Sequence, residues 1–313
     1  MVYLLLIAGL ILLIAGGEGL VRGSVTLSER MGLSKAFIGI AVIGFGTSMP
    51  EMVVSVEAAM IGRPGIAVGN VIGSNIANIF LILGTAALIR PQVTSSKILW
   101  RDGLFLVFST ILIVAGLHLI TFNVYSGVAM LLMFVAFLRH CYRTEQDIGP
   151  EKTDDLPDLK SERKQQFLVA AVLSVGGIAA LAFGASLFVG SAAEIAASLG
   201  VPPAIIGLSV VAIGTSLPEL VAGGMAAWRG QTELVVGNII GSNIFNLMLV
   251  LGTTSLFTPI SLSDVAVTVD LWVMLGATAL LIFGLSTRLR LDRWEAILFL
   301  SFYAAYCVRL ASA

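Results

Sequence analysis

Runs of about 20 apolar residues follow one another along nearly the whole chain. They fall at 2–21, 36–61, 65–89, 103–121 and 124–139, and again at 167–189, 204–228, 233–257, 267–286 and 294–311. Each is the length of a helix that crosses the hydrocarbon core of a bilayer. The expected fold is an all-α polytopic membrane protein with ten transmembrane helices, five in each half. Residues 2–21 lack a basic leader and a small-residue cleavage site and read as the first span, not as a signal peptide. Composition agrees: 58% of residues are hydrophobic, 12% are charged and the mean hydropathy is +1.00. A net charge of −1 supplies no basic face for nucleic acid, so the expected surroundings are the lipid bilayer and inorganic ions. No obligatory protein partner and no cofactor are implied. Cys141 and Cys307 lack metal-ligand spacing and read as packing residues.

One block occurs twice. Gly46-Thr47-Ser48-Met49-Pro50-Glu51, followed by Gly69-Asn70-Val71-Ile72-Gly73-Ser74-Asn75-Ile76-Ala77-Asn78, returns 168 residues later. The second copy is Gly214-Thr215-Ser216-Leu217-Pro218-Glu219 with Gly237-Asn238-Ile239-Ile240-Gly241-Ser242-Asn243-Ile244-Phe245-Asn246, without a gap between the marks. The same offset pairs Gly16 with Gly184, Gly32 with Gly200, Gly39 with Gly207 and Pro91 with Pro259, so the likeness covers the first three spans of each half. Over the last two spans no match is evident by eye. Five spans per half bring the second copy into the membrane from the opposite side, which makes the halves inverted repeats, an architecture of transporters. The expected units are a first repeat over 1–139, a polar cytoplasmic linker over 140–166 and a second repeat over 167–313.

Sixteen of the 18 Lys and Arg fall on one side of this arrangement, leaving Arg63 and Arg309 on the other. The positive-inside rule makes the crowded side cytoplasmic, with both termini outside an inner or plasma membrane.

A carboxylate midway along an apolar span costs about 2.5 kcal/mol or more unless it is paired, hydrated or protonated, so Glu51 and Glu219 are expected to face a cavity near the midplane. Pro50 and Pro218 withhold a donor from the carbonyls of Gly46 and Gly214, freeing main-chain oxygen around Thr47 and Thr215. Ser48, Ser216, Ser74, Ser242, Asn78 and Asn246 add neutral oxygens. Ser74 and Asn78 share a helical face, as do Ser242 and Asn246. Such an all-oxygen set without thiolate or imidazole suits hard cations such as Ca2+ and Na+. Close helix packing is the simpler reading of Gly69, Gly73, Gly237 and Gly241. Interhelical hydrogen bonding competes as a reading of the serines and asparagines.

These motifs resemble those of the sodium/calcium exchangers of the cation/calcium antiporter superfamily. The sequence is more similar to that branch than to the proton/calcium branch, whose motif has a Gly-Asn-x-x-Glu form. The resemblance implies that Glu51 and Glu219 hold Ca2+ and that Thr47, Thr215, Ser48, Ser216, Ser74 and Ser242 complete the cation sites. Members of the family commonly carry Asp where this chain has Asn78 or Asn246, a departure that bears on the counter-ion and its stoichiometry.

The leading function is thus a secondary active antiporter, not an enzyme, exchanging Ca2+ against Na+ by alternating access to a site built on Glu51 and Glu219. Coupling to H+ or K+ is the alternative, and a cation channel would reuse the same oxygens. An intramembrane hydrolase would need a nucleophile with a base, or an aspartate pair, which the repeated core lacks. Glu18 is expected to pair with Arg22 one helical turn on. Glu57 stands either on an access path or at the solvated edge of its span. Asp264, Asp270, Glu194 and Glu233 are expected at hydrated edges, and Trp100, Trp228, Trp272 and Trp294 at the membrane interfaces.

Overall fold

The computed structural model describes residues 1–146, 157–200, 212–261 and 268–312. The first half runs through α1 (Val2–Met31), α2 (Lys35–Thr47), α3 (Met49–Met60), α4 (Pro64–Ile89), α5 (Ile98–Leu119) and α6 (Val124–Gln146). The second runs through α7 (Pro157–Ser198), α8 (Ala212–Thr215), α9 (Leu217–Trp228), α10 (Thr232–Phe257), α11 (Thr268–Arg288) and α12 (Arg293–Ser312). Among the described residues eight helices are long and apolar enough to cross a membrane, and the bent pair α2 and α3 brings the number to nine. The tenth expected span, 204–228, lies partly outside the described residues.

Helices outlast the apolar runs at several ends. α1 has 30 residues, about 45 Å at 1.5 Å per residue, against about 30 Å of hydrocarbon. It stops only at Gly32, whose φ of 65° is the left-handed cap that lets Leu33 N–H donate back to the Ser28 carbonyl at 3.0 Å. Gly200, its repeat counterpart, has φ 81°. α6 and α7 likewise extend into the polar interval between the halves, and residues 147–156 lie outside the described set.

Two small pairings join the halves. The strand β1 (Gln92–Val93), after α4, pairs antiparallel with β2 (Arg290–Leu291), between α11 and α12. Phe122, between α5 and α6, forms an antiparallel bridge with Ile260, after α10. The same two segments are therefore joined in reciprocal fashion. In α5 and α11, Thr110 and Thr278 are 168 residues apart and their hydroxyls meet at 3.4 Å. Asp102 and Asp270 stand at the same offset, both buried. The repeat thus continues into the fourth span of each half, where reading by eye finds no match, because only a few polar positions carry it through otherwise interchangeable aliphatic sequence.

α10 is the most enclosed span, with 94% of its apolar window buried. A Cβ at Gly237 would lie 2.3 Å from the Ala36 carbonyl oxygen, and one at Gly241 2.6 Å from Ile40 Cα, so these glycines let α10 touch the backbone of α2. Residues 204 and 208, at the 168-residue offset from Ala36 and Ile40, lie outside the described residues.

At the end expected to be cytoplasmic, Glu18 pairs with Arg22 as its spacing implies and also with Arg229, at the end of α9. Arg101 bridges Asp102 and Glu145, while Lys97 also pairs with Glu145 at 2.8 Å. Cys141 is buried and donates its thiol to Asp102, whereas Cys307 is exposed and is no core packing residue. Asp270 is not merely hydrated at an edge: it is buried and paired with Arg309. Glu57 and Glu194 are exposed, Glu233 is half-buried, and the four tryptophans are exposed near helix ends. Asp264 lies outside the described residues.

Candidate cation site

Helix α2 ends and α3 begins at Ser48, where φ −85° and ψ 5° leave the helical region and the axis bends by 46°. Ser216, between α8 and α9, has φ −88° and ψ 5°. Both restarts place a proline and then a glutamate in the first turn, where N–H groups lack carbonyl partners and the helix dipole favours negative charge. The Pro-Glu spacing therefore fixes a carboxylate at the mouth of a broken helix in each half.

The two halves exchange these groups. Ser48 Oγ donates to Glu219 Oε1 at 3.1 Å, and the Ser216 side chain stands close to the Glu51 carboxylate. Glu51 and Glu219 are each 1% exposed and close enough to interact electrostatically. The remaining oxygen, Oε2, of both has no hydrogen-bond partner among the described residues. Two buried carboxylates with a free oxygen apiece would cost several kcal/mol each without a positive charge between them.

The asparagines come in from the opposite half as well. α4 loosens into a π-helical turn at Asn78–Leu83 and α10 does so at Phe245–Val250, the kind of local irregularity that recurs at functional sites. α9 packs against the first of these turns and α3 against the second. Asn78 and Asn246 are buried, and the Oδ1 atoms of both lack partners among the described residues. Thr47 is buried with its hydroxyl donating to the Ile43 carbonyl at 2.9 Å, while Thr215 is half-buried at the end of α8. Ser242 Oγ lies 3.5 Å from the Gly44 carbonyl and 3.4 Å from Asn238 Oδ1; Ser74 is buried on the matching face of α4.

Three further residues of the duplicated block serve this region although the sequence reading leaves them out. Asn70 Nδ2 donates to the Glu51 carbonyl at 3.1 Å and to Ser55 Oγ at 3.0 Å, tying α4 to the turn that carries the glutamate. Asn75 contacts Asn246, and Asn243 is buried beside it in sequence on α10. Their signal was duplication itself, since each stands at the 168-residue offset from another asparagine.

An oxygen-only cage with two carboxylates, hydroxyls and amides, 0–4% exposed at Glu51, Glu219, Ser48, Ser216, Asn78 and Asn246, can hold a hard cation and shed it only by a change of conformation. The comparisons with known proteins concur. The sodium/calcium exchanger MaX1 of Methanosarcina acetivorans is 32% identical over 98% of this chain and 98% of its own. The putative antiporter CaxA of Alkalimonas amylolytica is 34% identical over 96% of this chain and 95% of its own, and the inner membrane protein YrbG of Escherichia coli 33% over 87% and 84%. The solved structure of the sodium-calcium exchanger NCX_Mj soaked with zero Na+ and Ca2+ superposes with a TM-score of 0.85 at 33% identity, covering 99% of this chain and 100% of that one. Residues 1–143 and 169–311 match the family described as sodium/calcium exchanger protein, so this chain belongs to that family of membrane-embedded cation exchangers.

Proposed function

We propose that the chain exchanges Ca2+ against Na+ at a single midplane site whose fixed charge comes from Glu51 and Glu219, with Ser48, Ser216, Thr47, Thr215, Ser74, Ser242, Asn78 and Asn246 as neutral oxygens. The observation that carries the reading is that Ser48 of one half donates to Glu219 of the other, with Ser216 close to Glu51, and that each glutamate keeps one buried oxygen without a partner among the described residues. A pair of carboxylates matches the charge of one Ca2+ or of two monovalent ions, which is what exchange at one site requires. Burial of both glutamates and of the serines and asparagines around them favours alternating access over a channel, because ions pass only when one bundle of helices moves against the other.

The repeats 1–139 and 167–313 are the two moving halves in this reading, joined by a cytoplasmic 140–166 linker, with both termini outside. Contacts at the helix ends support the grouping of these residues by side of the membrane. Arg229 reaches Glu18, Lys35 donates to Gln231 at 2.8 Å and Arg293 donates to the Ile89 carbonyl at 3.3 Å, all on the side expected to be cytoplasmic. Arg309 and Asp270 pair on the other.

Na+ is preferred to H+ as the counter-ion because neutral hydroxyl, amide and carbonyl oxygens outnumber the carboxylates and bind a cation without exchanging a proton, and to K+ because the matching family is described as sodium/calcium exchanger protein. The test is Ca2+ uptake into proteoliposomes under separate Na+, K+ and H+ gradients. Uptake driven by an outward Na+ gradient alone is expected; uptake driven only by H+ or K+ would replace the counter-ion, and flux without any gradient would replace the antiporter.

A further inference from the structure

Asn246 is the one amide of the site whose orientation is set from outside. Its Nδ2 donates to Asn75 Oδ1, across the boundary between halves, at 3.3 Å. Asn75 in turn points its own Nδ2 at Met274 Sδ on α11, at 3.6 Å. All three are 0–1% exposed. The thioether is a weak acceptor and offers no hydrogen to donate, so it turns the nitrogen of Asn75 toward itself and the oxygen toward Asn246. With its nitrogen so engaged, Asn246 retains a buried Oδ1 that has no partner among the described residues.

The counterpart arrangement in the other half is different, and the sequence says why. At the 168-residue offset, Asn78 should be held by Asn243, and Asn243 by the residue equivalent to Met274, which is Leu106. Leucine accepts nothing. Asn243 instead donates its Nδ2 to the Ile239 carbonyl of its own helix at 2.9 Å, and both the Nδ2 and the Oδ1 of Asn78 are without partners among the described residues. The symmetry of the site is thus broken at one contact: the amide at 246 is held by a hydrogen bond and the amide at 78 has none among the described residues.

We propose that Asn75 is a positioning residue that fixes Asn246 with its carbonyl oxygen presented to the transported cation, an inference that rests on the reading of the site as the one where Ca2+ and Na+ bind. An amide free to rotate about its last torsion presents NH2 to a cation in one of two orientations; the Met274–Asn75–Asn246 relay removes that orientation. It also makes position 246 an amide position. A carboxylate there would face the Asn75 oxygen, and Asn75 would have to give up Met274 and turn its nitrogen inward.

The experiment is a double-mutant cycle on the full chain in proteoliposomes, with Asn75→Leu, Asn246→Ser and the double variant, reading both the half-saturating Ca2+ concentration and the maximal rate. Asn75→Leu is expected to raise half-saturating Ca2+ roughly two- to tenfold, the range that one hydrogen bond commands, while leaving the maximal rate within about a factor of two. In the double variant the Asn75 substitution is expected to add nothing to Asn246→Ser, because its only route to the cation has gone. An unchanged Ca2+ dependence in Asn75→Leu, or effects that multiply in the double variant, would overturn the proposal. Asn75→Ala, which withdraws the acceptor without adding bulk, serves if the leucine variant does not fold, with the same expected shift. Failure of the underlying reading has its own signature: Glu219→Gln that exchanges as well as the parent, against loss in Glu219→Gln with no response to Asn75.

Discussion

Glu219→Gln removes one of two carboxylates while preserving side-chain size, and its effect can be worked from the geometry. The Glu219 carboxylate is buried, takes one hydrogen bond from Ser48 at 3.1 Å and leaves Oε2 for a ligand. With Ca2+ coordinated at about 2.4 Å by oxygen, the charge centres are about 3 Å apart. At an effective dielectric constant of about 20 the attraction is ~11 kcal/mol for Ca2+ and ~5.5 kcal/mol for Na+. Gln no longer has to be stripped of a charged group's hydration, which returns several kcal/mol. The net loss for Ca2+ is then several kcal/mol, about three powers of ten or more in affinity. The same return is set against the smaller attraction of Na+, so the loss for Na+ is well under half as large and selectivity shifts toward the monovalent ion. Folding is expected to persist, because an unpaired buried charge has been removed and not introduced. Radiolabelled Ca2+ uptake into Na+-loaded proteoliposomes, with size-exclusion profiles for the variant, measures both. Exchange at the parent's rate and affinity would refute the assignment of the site.

Three other outcomes are expected. Asp154→Cys in a Cys307→Ser background, which removes the exposed native thiol, should label in intact cells only with reagents that enter the cytoplasm; labelling by an impermeant reagent from outside would invert the orientation. Gly237→Val should reduce folded yield sharply, by several kcal/mol of stability, since its Cβ alone would lie 2.3 Å from the Ala36 carbonyl oxygen; a normal thermal transition would mean α2 and α10 are not in backbone contact. Glu57→Gln, at an exposed position of α3, should leave Ca2+ affinity within about twofold, since an exposed, screened charge carries little; a tenfold loss would place Glu57 on the ion's path.

The site was legible to the extent that duplication and polarity mark it. Glu51 and Glu219 stand out because a charged side chain deep in an apolar run is costly and the pair recurs at one offset. The serines and Asn78 and Asn246 follow from the same block. What could not be read was which group meets which. Nothing in the spacing shows that Ser48 serves Glu219 and not Glu51, because that pairing arises only when the two broken helices face each other in space. The π-helical turns at Asn78 and Phe245 are likewise packing outcomes, written in aliphatic sequence that reads as ordinary helix. Ion pairs at helix ends were missed where the partners lie far apart in sequence: Glu18 with Arg229, Arg101 with Glu145, Asp270 with Arg309.

The two amides carry the remaining step, to stoichiometry. With Asn at 78 and 246, the fixed charge of the cage is about −2, from Glu51 and Glu219 alone. One Ca2+ neutralises it, and so do two Na+ ions. A third Na+ would leave one positive charge in a buried cavity, at a cost of several kcal/mol unless helix C-termini and free carbonyls offset it. The breaks set helix N-termini at Met49 and Leu217 against helix C-termini at Thr47 and Thr215, and these opposed dipoles largely cancel and leave the surplus charge without an offset. Two-for-one exchange without net charge movement is therefore the expected outcome. Clamping the membrane potential in liposomes should leave Na+-driven Ca2+ flux unchanged within about a factor of two, because no charge crosses the field when +2 exchanges for +2. In Asn246→Asp, an ionised carboxylate brings the cage to −3 and makes room for a third Na+, so potential dependence should appear in that variant. Strong acceleration of the parent by a potential of either sign would mean that net charge already moves, and that main-chain dipoles supply what the amides do not.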